Sequence, residues 1–196
     1  HVGDSIAKEV GGGLSLKELV APPDGLKHRL LDQASREDVV DAIRRSLGFM
    51  ERTGTAAFLD FRENGVEGVK RLREAANHRA IQALVFARGS VAAMEAGEGF
   101  GASGAHDGEF SPQRTAARQA EKPFAIHAGE ASPSDVNAAL DLDPDFLVHM
   151  VHTDPLHLER VEERGTPIVV CPRSNLVTNV GLPDIPTLLE ITNVAL

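Results

Sequence analysis

The chain has no tryptophan and no tyrosine, and only 4% of its residues are aromatic. Ala, Val, Leu and Ile must therefore supply its core, and these are the residues used by buried parallel strands and the helices that cover them. It has one cysteine, Cys171, which excludes an internal disulfide and a cysteine-built zinc cluster. Cationic residues are in deficit, 20 Lys+Arg against 29 Asp+Glu, for a formal net charge of -9. Such a surface repels phosphate backbones and has no basic stripe, so nucleic-acid binding through backbone contacts is not expected. No apolar run reaches membrane length and no segment resembles a signal peptide. A soluble, cytoplasmic protein without a membrane partner is expected.

What is present is a chain of 196 residues, 42% of them hydrophobic, which suits one globular domain with a sizeable core. Residues 1–35 are rich in glycine and proline, with Gly11-Gly12-Gly13 and Pro22-Pro23-Asp24-Gly25. They read as a long loop with one short helix near 15–20. Ser35 is a natural N-cap, and Asp38 falls in the first turn, where its charge suits the helix dipole. Val39, Ile43 and Leu47 then recur at helical spacing toward Arg52.

Beyond Gly54 apolar runs of strand length alternate with helical patterns. Strands are expected at 56–61, 81–86, 99–103 (weak), 124–126, 146–149, 168–171 and from 191 onward. Helices are expected at 66–76, 112–121, 133–140, 156–164 and 186–190. This alternation means βα units with parallel strands. A doubly wound open sheet shares the periodicity but usually shows a glycine-rich phosphate turn after its first strand. The glycines at 97–108 contain no Gly-Lys-Ser/Thr, which argues against a nucleotide loop.

The polar residues of interest follow the strands. Arg62 and Glu63 follow the first, His127 and Glu130 the fourth, His149 and His152 the fifth, and Cys171 to Asn175 the sixth. Active sites of (β/α) barrels form at these carboxyl ends. Three imidazoles (His1, His127, His149) and the Glu130 carboxylate could meet there. Histidine is a good zinc or iron(II) ligand, and Glu130, three residues past His127, is placed to act beside a metal as a general acid–base group.

Four motifs in register carry a resemblance. His127-Ala128-Gly129-Glu130 resembles the His-x-x-Glu segment of adenosine, cytosine and guanine deaminases. His1-Val-Gly-Asp-Ser5 resembles the tail of a His-x-His motif. His149-Met-Val-His152 resembles the segment after the sixth barrel strand, and Cys171-Pro-Arg-Ser-Asn175 the Cys-Pro-x-Ser-Asn turn after the seventh. The chain is thereby similar to the deaminase and chlorohydrolase branch of the amidohydrolase superfamily.

The resemblance implies an α/β fold, a (β/α)8 TIM-type barrel of the metal-dependent hydrolase type. Residues 1–196 would form a partial barrel domain, without the first strand, the end of the eighth and the family's small β-sandwich domain. His1 and His127 would be metal ligands, Glu130 would shuttle a proton, and His149 would polarise water or substrate. His152, Arg173, Asn175, Arg62 and Glu63 would contact substrate. Read from the residues alone, Arg62 and Glu63 are equally an ion pair, and His152 a polar loop residue. The first histidine of His-x-His would lie two residues before His1, and a ligating aspartate just past Leu196, so the chain reads as truncated at both ends. No lysine occurs at 98–108 to bridge two metals, which leaves one divalent ion, Zn2+ ahead of Fe2+.

The expected reaction is deamination of a purine, pyrimidine or triazine-like ring. The alternatives are a chlorohydrolase on a related ring and an inactive barrel used for binding or assembly. The expected partner is a small heterocyclic substrate, and a homo-oligomer is compatible with the sequence. His28 and His106 are placed in loops over the pocket mouth, and His78 and His157 in solvated helical stretches. Cys171 lacks a fixed activating base.

Overall fold

A computed structural model describes residues 1–8, 10–21 and 24–196. The chain divides into two compact units, residues 1–100 and 101–196.

In the first unit a 3₁₀ turn (Val2–Ala7) leads to three helices, α1 (Leu16–Val20), α2 (Leu26–Gln33) and α3 (Arg36–Arg52). The Ser35 side chain accepts the Asp38 N–H, the cap that its position predicts. Strand β1 (Ala57–Arg62), α4 (Gly65–Ala76), β2 (Gln82–Ala87), α5 (Val91–Ala96) and the start of β3 (Gly99–Gly104) follow. β1 pairs in parallel with β2, and β2 with β3. The core is aliphatic, as the scarcity of aromatics requires: Val40, Ile43 and Leu47 of α3 meet Val69 and Leu72 of α4 and Val85 of β2. Leu47 is fully buried, so Leu47→Ala should cost about 2–5 kcal/mol.

The second unit holds the rest of β3, then α6 (Ser111–Gln119), β4 (Phe124–Ala128), a 3₁₀ turn (Pro133–Asp135), α7 (Val136–Asp141) and β5 (Phe146–His149). They are followed by α8 (Pro155–Arg164), β6 (Ile168–Val169), α9 (Pro172–Val177), α10 (Ile185–Ile191) and β7 (Val194–Ala195). β4, β5, β6 and β7 pair in parallel in sequence order. Phe124, Ile126, Leu147 and Ile168 are completely buried, as expected for strands covered on both faces.

Six expectations need correction. The expected loop at 1–35 contains α2, whose N-cap Gly25 makes no side-chain bond and so left no cap signal; its Pro22-Pro23 lie outside the described residues. His28 therefore sits on a helix, its Nε2 3.1 Å from the Val20 carbonyl oxygen. The strand expected at 168–171 stops at Val169, and Pro172 opens α9, as proline does at a first helical turn. His157 is buried, not solvated: three residues past the N-cap, its Nδ1 accepts the Asp154 N–H at 3.0 Å. Helix α5, capped by Ser90, was not expected, and the last strand begins at Val194 rather than 191. Among the described residues no helix is long and apolar enough to cross a membrane.

Candidate functional site

The sequence-predicted residues fall into two polar centres, one in each unit. In the first unit they gather at the carboxyl end of β1. Glu63 is buried and accepts from three cations: Lys27 Nζ at 2.6 Å, Arg62 Nη2 at 3.1 Å and Arg88 Nη1 at 3.1 Å. Arg62 also reaches Asp60 at 3.3 Å, and Lys27 lies 3.5 Å from Asp4. The main-chain nitrogens of His1 and Val2 converge on Asp60 Oδ1 at 3.1 and 2.6 Å. Gly3 packs directly on the Arg62 guanidinium, leaving no room for a Cβ.

Three carboxylates thus face three cations in a buried network. Burial alone would raise the Glu63 carboxyl, but Lys27, Arg88 and Arg62 outweigh it and hold it at about 2. Asp4 is pushed the other way, chiefly by burial. Arg62 and Glu63 form the ion pair that was one of their two readings, and both are almost inaccessible.

His1, Asp4 and Glu63 place ligand-type atoms within 4.8 Å of one another. The Lys27 ammonium already stands between Asp4 and Glu63, so this trio carries its own tethered cation. A metal ion added there would meet that charge at close range. The His1 Nδ1 lies 3.4 Å from Glu63 Oε1.

The second centre is built on β4 and β5. His127, the fourth residue of β4, donates its Nδ1–H to the Ala102 carbonyl oxygen at 2.9 Å. A carbonyl can only accept, so Nδ1 carries a proton. This is the arrangement of metal-ligating histidines, which give their second ring N–H to a carbonyl or carboxylate.

His149 ends β5 with its ring 5.2 Å from that of His127, tilted by 38°. Its Nδ1 meets Asn175 Oδ1 at 2.8 Å, and its Nε2 lies 3.5 Å from Glu130 Oε1. Gly129 makes this close approach feasible. It has a φ of +63°, and a Cβ there would come within 2.7 Å of the His152 carbonyl oxygen. The His152 N–H donates to Gly129 O at 2.8 Å and the Met150 N–H to Ala128 O at 3.0 Å, tying the two strand ends together.

Glu130 opens onto a cleft of about 190 Å³ lined also by His127, Ser103, His106, Asp107 and Asp135. Asp135 was not read from the sequence. Its Oδ1 accepts the Gly129 N–H at 3.0 Å, so it holds the His127–Glu130 turn; its place just after the capping Ser132 was the available signal. His106 is in a loop, as expected, with Nε2 3.2 Å from Ser134 O. Asn175 is completely buried on α9, Arg173 is exposed on the same helix, and His152 is half-buried. The Cys171 thiol is pushed up by burial and by the Glu130 carboxylate, which makes it a poorer nucleophile.

Comparison with known proteins gives this arrangement its context. No family model matches the chain. Over 97% of its length it is 31% identical to a protein of Methanothermobacter thermautotrophicus named "Putative aminohydrolase". Over 89% it is 35% identical to a protein of the same name from Archaeoglobus fulgidus. The chain spans 58% and 52% of the lengths of these two relatives. In structure it is similar to adenine deaminase from Arthrobacter aurescens, with a TM-score of 0.67, 21% identity, and coverage of 86% of this chain and 64% of that one. The resemblance carried by the four motifs thus holds across nearly the whole sequence: the chain resembles the aminohydrolases and deaminases of the amidohydrolase superfamily and has the fold of a partial (β/α) barrel.

Proposed function

We propose that the protein is a metal-dependent hydrolase that removes ammonia from an amino-heterocycle of the purine, pyrimidine or triazine kind. The observation that carries this reading is the hydrogen bonding of His127, whose Nδ1–H is committed to Ala102 O. Its Nε2 would then be the ligand atom, in the cleft that His127 shares with Glu130. His127 would hold the ion, with Zn2+ preferred and Fe2+ second, and the sequence motif alone makes His1 a further ligand candidate. A divalent ion at such a site makes water a nucleophile near neutral pH.

The side chains of the second unit then have separate tasks. Water adds to the amino-bearing ring carbon. Glu130 passes one of the water's protons to the adjacent ring nitrogen, and the other, from the added hydroxyl, goes to the amino group as it leaves as ammonia, general acid–base work worth about 10²- to 10⁴-fold in rate. His149, with Nε2 toward Glu130, polarises the attacking water. Carboxylate and carbonyl acceptors around the cleft suit a ligand rich in N–H donors. Arg173 and His152 are candidate contacts to the rest of the substrate, and a cytoplasmic enzyme is part of the same reading.

The test is ammonia release by the full-length protein from a panel of amino-heterocycles, with metal content measured on the same sample. Turnover with about one zinc or iron per chain is expected. A protein without stoichiometric metal would instead be an inactive binding barrel, and chloride release without ammonia release would make it a chlorohydrolase.

A further inference from the structure

Asn175 was expected to touch substrate, but its surroundings point to a different task. It is completely buried, sits in the first turns of α9 and has its Oδ1 2.8 Å from His149 Nδ1. Its Nδ2 is buried without a hydrogen-bond partner among the described residues. A carboxamide held at that cost, about 1–3 kcal/mol for a buried unpaired donor, is retained for what its oxygen does.

The backbone at His149 points the same way. His149 has a φ of +79° and Met150 a φ of +50°, two successive non-glycine residues in the left-handed region. Each costs about 1–3 kcal/mol and persists only where the surroundings enforce it. They are enforced here by the Met150 N–H on Ala128 O and the His152 N–H on Gly129 O. The His149 ring lies between two side-chain oxygens, Asn175 Oδ1 near one nitrogen and Glu130 Oε1 near the other.

We propose that Asn175 is the positioning residue of His149: its carboxamide oxygen accepts the Nδ1–H, fixes the ring in one tautomer and one orientation, and so presents Nε2 to Glu130. Any proton exchanged between the imidazole and Glu130 then passes at Nε2, because Nδ1 is committed. The value of this for turnover rests on the proposed deamination, while the tautomer itself does not.

The two are therefore separable by experiment. Nitrogen-15 NMR of the full-length protein labelled at histidine reads the His149 tautomer without substrate. In the native protein Nδ1 should carry the proton. In Asn175→Leu, of similar volume but without the acceptor, that fixed Nδ1–H signature should disappear. On a substrate that releases ammonia, kcat should fall about 10- to 100-fold, as for other residues that orient a site histidine, with KM within threefold. A native protein with the lone pair on Nδ1 and the proton on Nε2 would overturn the assignment, even if the Leu variant does not fold. So would an Asn175→Leu variant that keeps both the signature and kcat. Absence of ammonia release from every heterocycle, with the Nδ1–H intact, would count against the deamination reading and leave Asn175 holding His149 as assigned.

Discussion

The two polar centres both form at the carboxyl ends of strands and end in opposite states. In the first unit Glu63 is buried under three cations, and Asp4, Asp60 and Glu63 are answered by Lys27, Arg62 and Arg88. In the second unit the charge is sparse. His127 bonds the Ala102 carbonyl, His149 lies between Asn175 and Glu130, and Glu130 faces an open cleft. A closed network costs much to break and has little capacity left to act on a ligand, whereas a carboxylate on an open cleft can still meet one. Substitutions in the first centre should therefore register in stability and those in the second in activity.

The largest expected effect tests the second half of that contrast. Glu130→Gln keeps the shape of the side chain and removes its proton chemistry. Ammonia release should fall about 10²- to 10⁴-fold, while unfolding free energy stays within about 0.5 kcal/mol because the residue is partly solvated. Parallel kinetics and chemical denaturation check this, and near-native turnover would exclude Glu130 as the shuttle. The matching break in the first centre is Lys27→Met. It strands Glu63 and Asp4 without their nearest cation and should cost about 3–5 kcal/mol of stability, read from the same denaturation curves. A neutral outcome would mean that Arg62 and Arg88 suffice for Glu63.

The fold was legible because the βα period survives in short apolar runs such as 81–86 and 124–126, each ended by polar residues. The second centre was legible for the same reason: His127, Glu130 and His149 stand at strand ends, and barrel chemistry concentrates there. The first centre was not. Arg62 and Glu63 occupy an equally suggestive strand end, but whether they face a ligand depends on Lys27, Arg88 and Asp4, which are distant in sequence. Nothing local in α2, with its glycine cap, announces that Lys27 points inward. The pairing of Asn175 with His149 was hidden too, because it depends on α9, a helix opened by Pro172 that the sequence reading did not include.

A smaller effect sharpens the contrast through pH. Glu63 sits at about 2 in the folded protein against an ordinary value of 4.5. Its contribution to stability is complete above about 4.5 and is lost as the pH falls toward 2. Asp4 is raised by burial, so its protonation on acidification favours the folded state and partly offsets the loss. The native protein should still lose stability steeply between pH 4.5 and 2, and Glu63→Gln, less stable at neutral pH, should show a shallower dependence there. Denaturation midpoints at half-unit pH steps decide it, and equal slopes would mean that other carboxylates govern acid unfolding.

The smallest effect concerns the rim of the second centre. Arg173 is exposed on α9, two residues before the buried Asn175, so it can meet a ligand only through a solvated side chain. A contact of that kind is worth about 1 kcal/mol or less. Arg173→Ala should raise KM by no more than about fivefold and leave kcat unchanged, the pattern of an interaction made equally in ground and transition states. Steady-state kinetics at low and high salt check it, because a solvated charge contact weakens with ionic strength. A fall in kcat instead would place Arg173 against the reacting ring. The boundary between groups that act and groups that hold would then lie further along α9 than the burial of Asn175 implies.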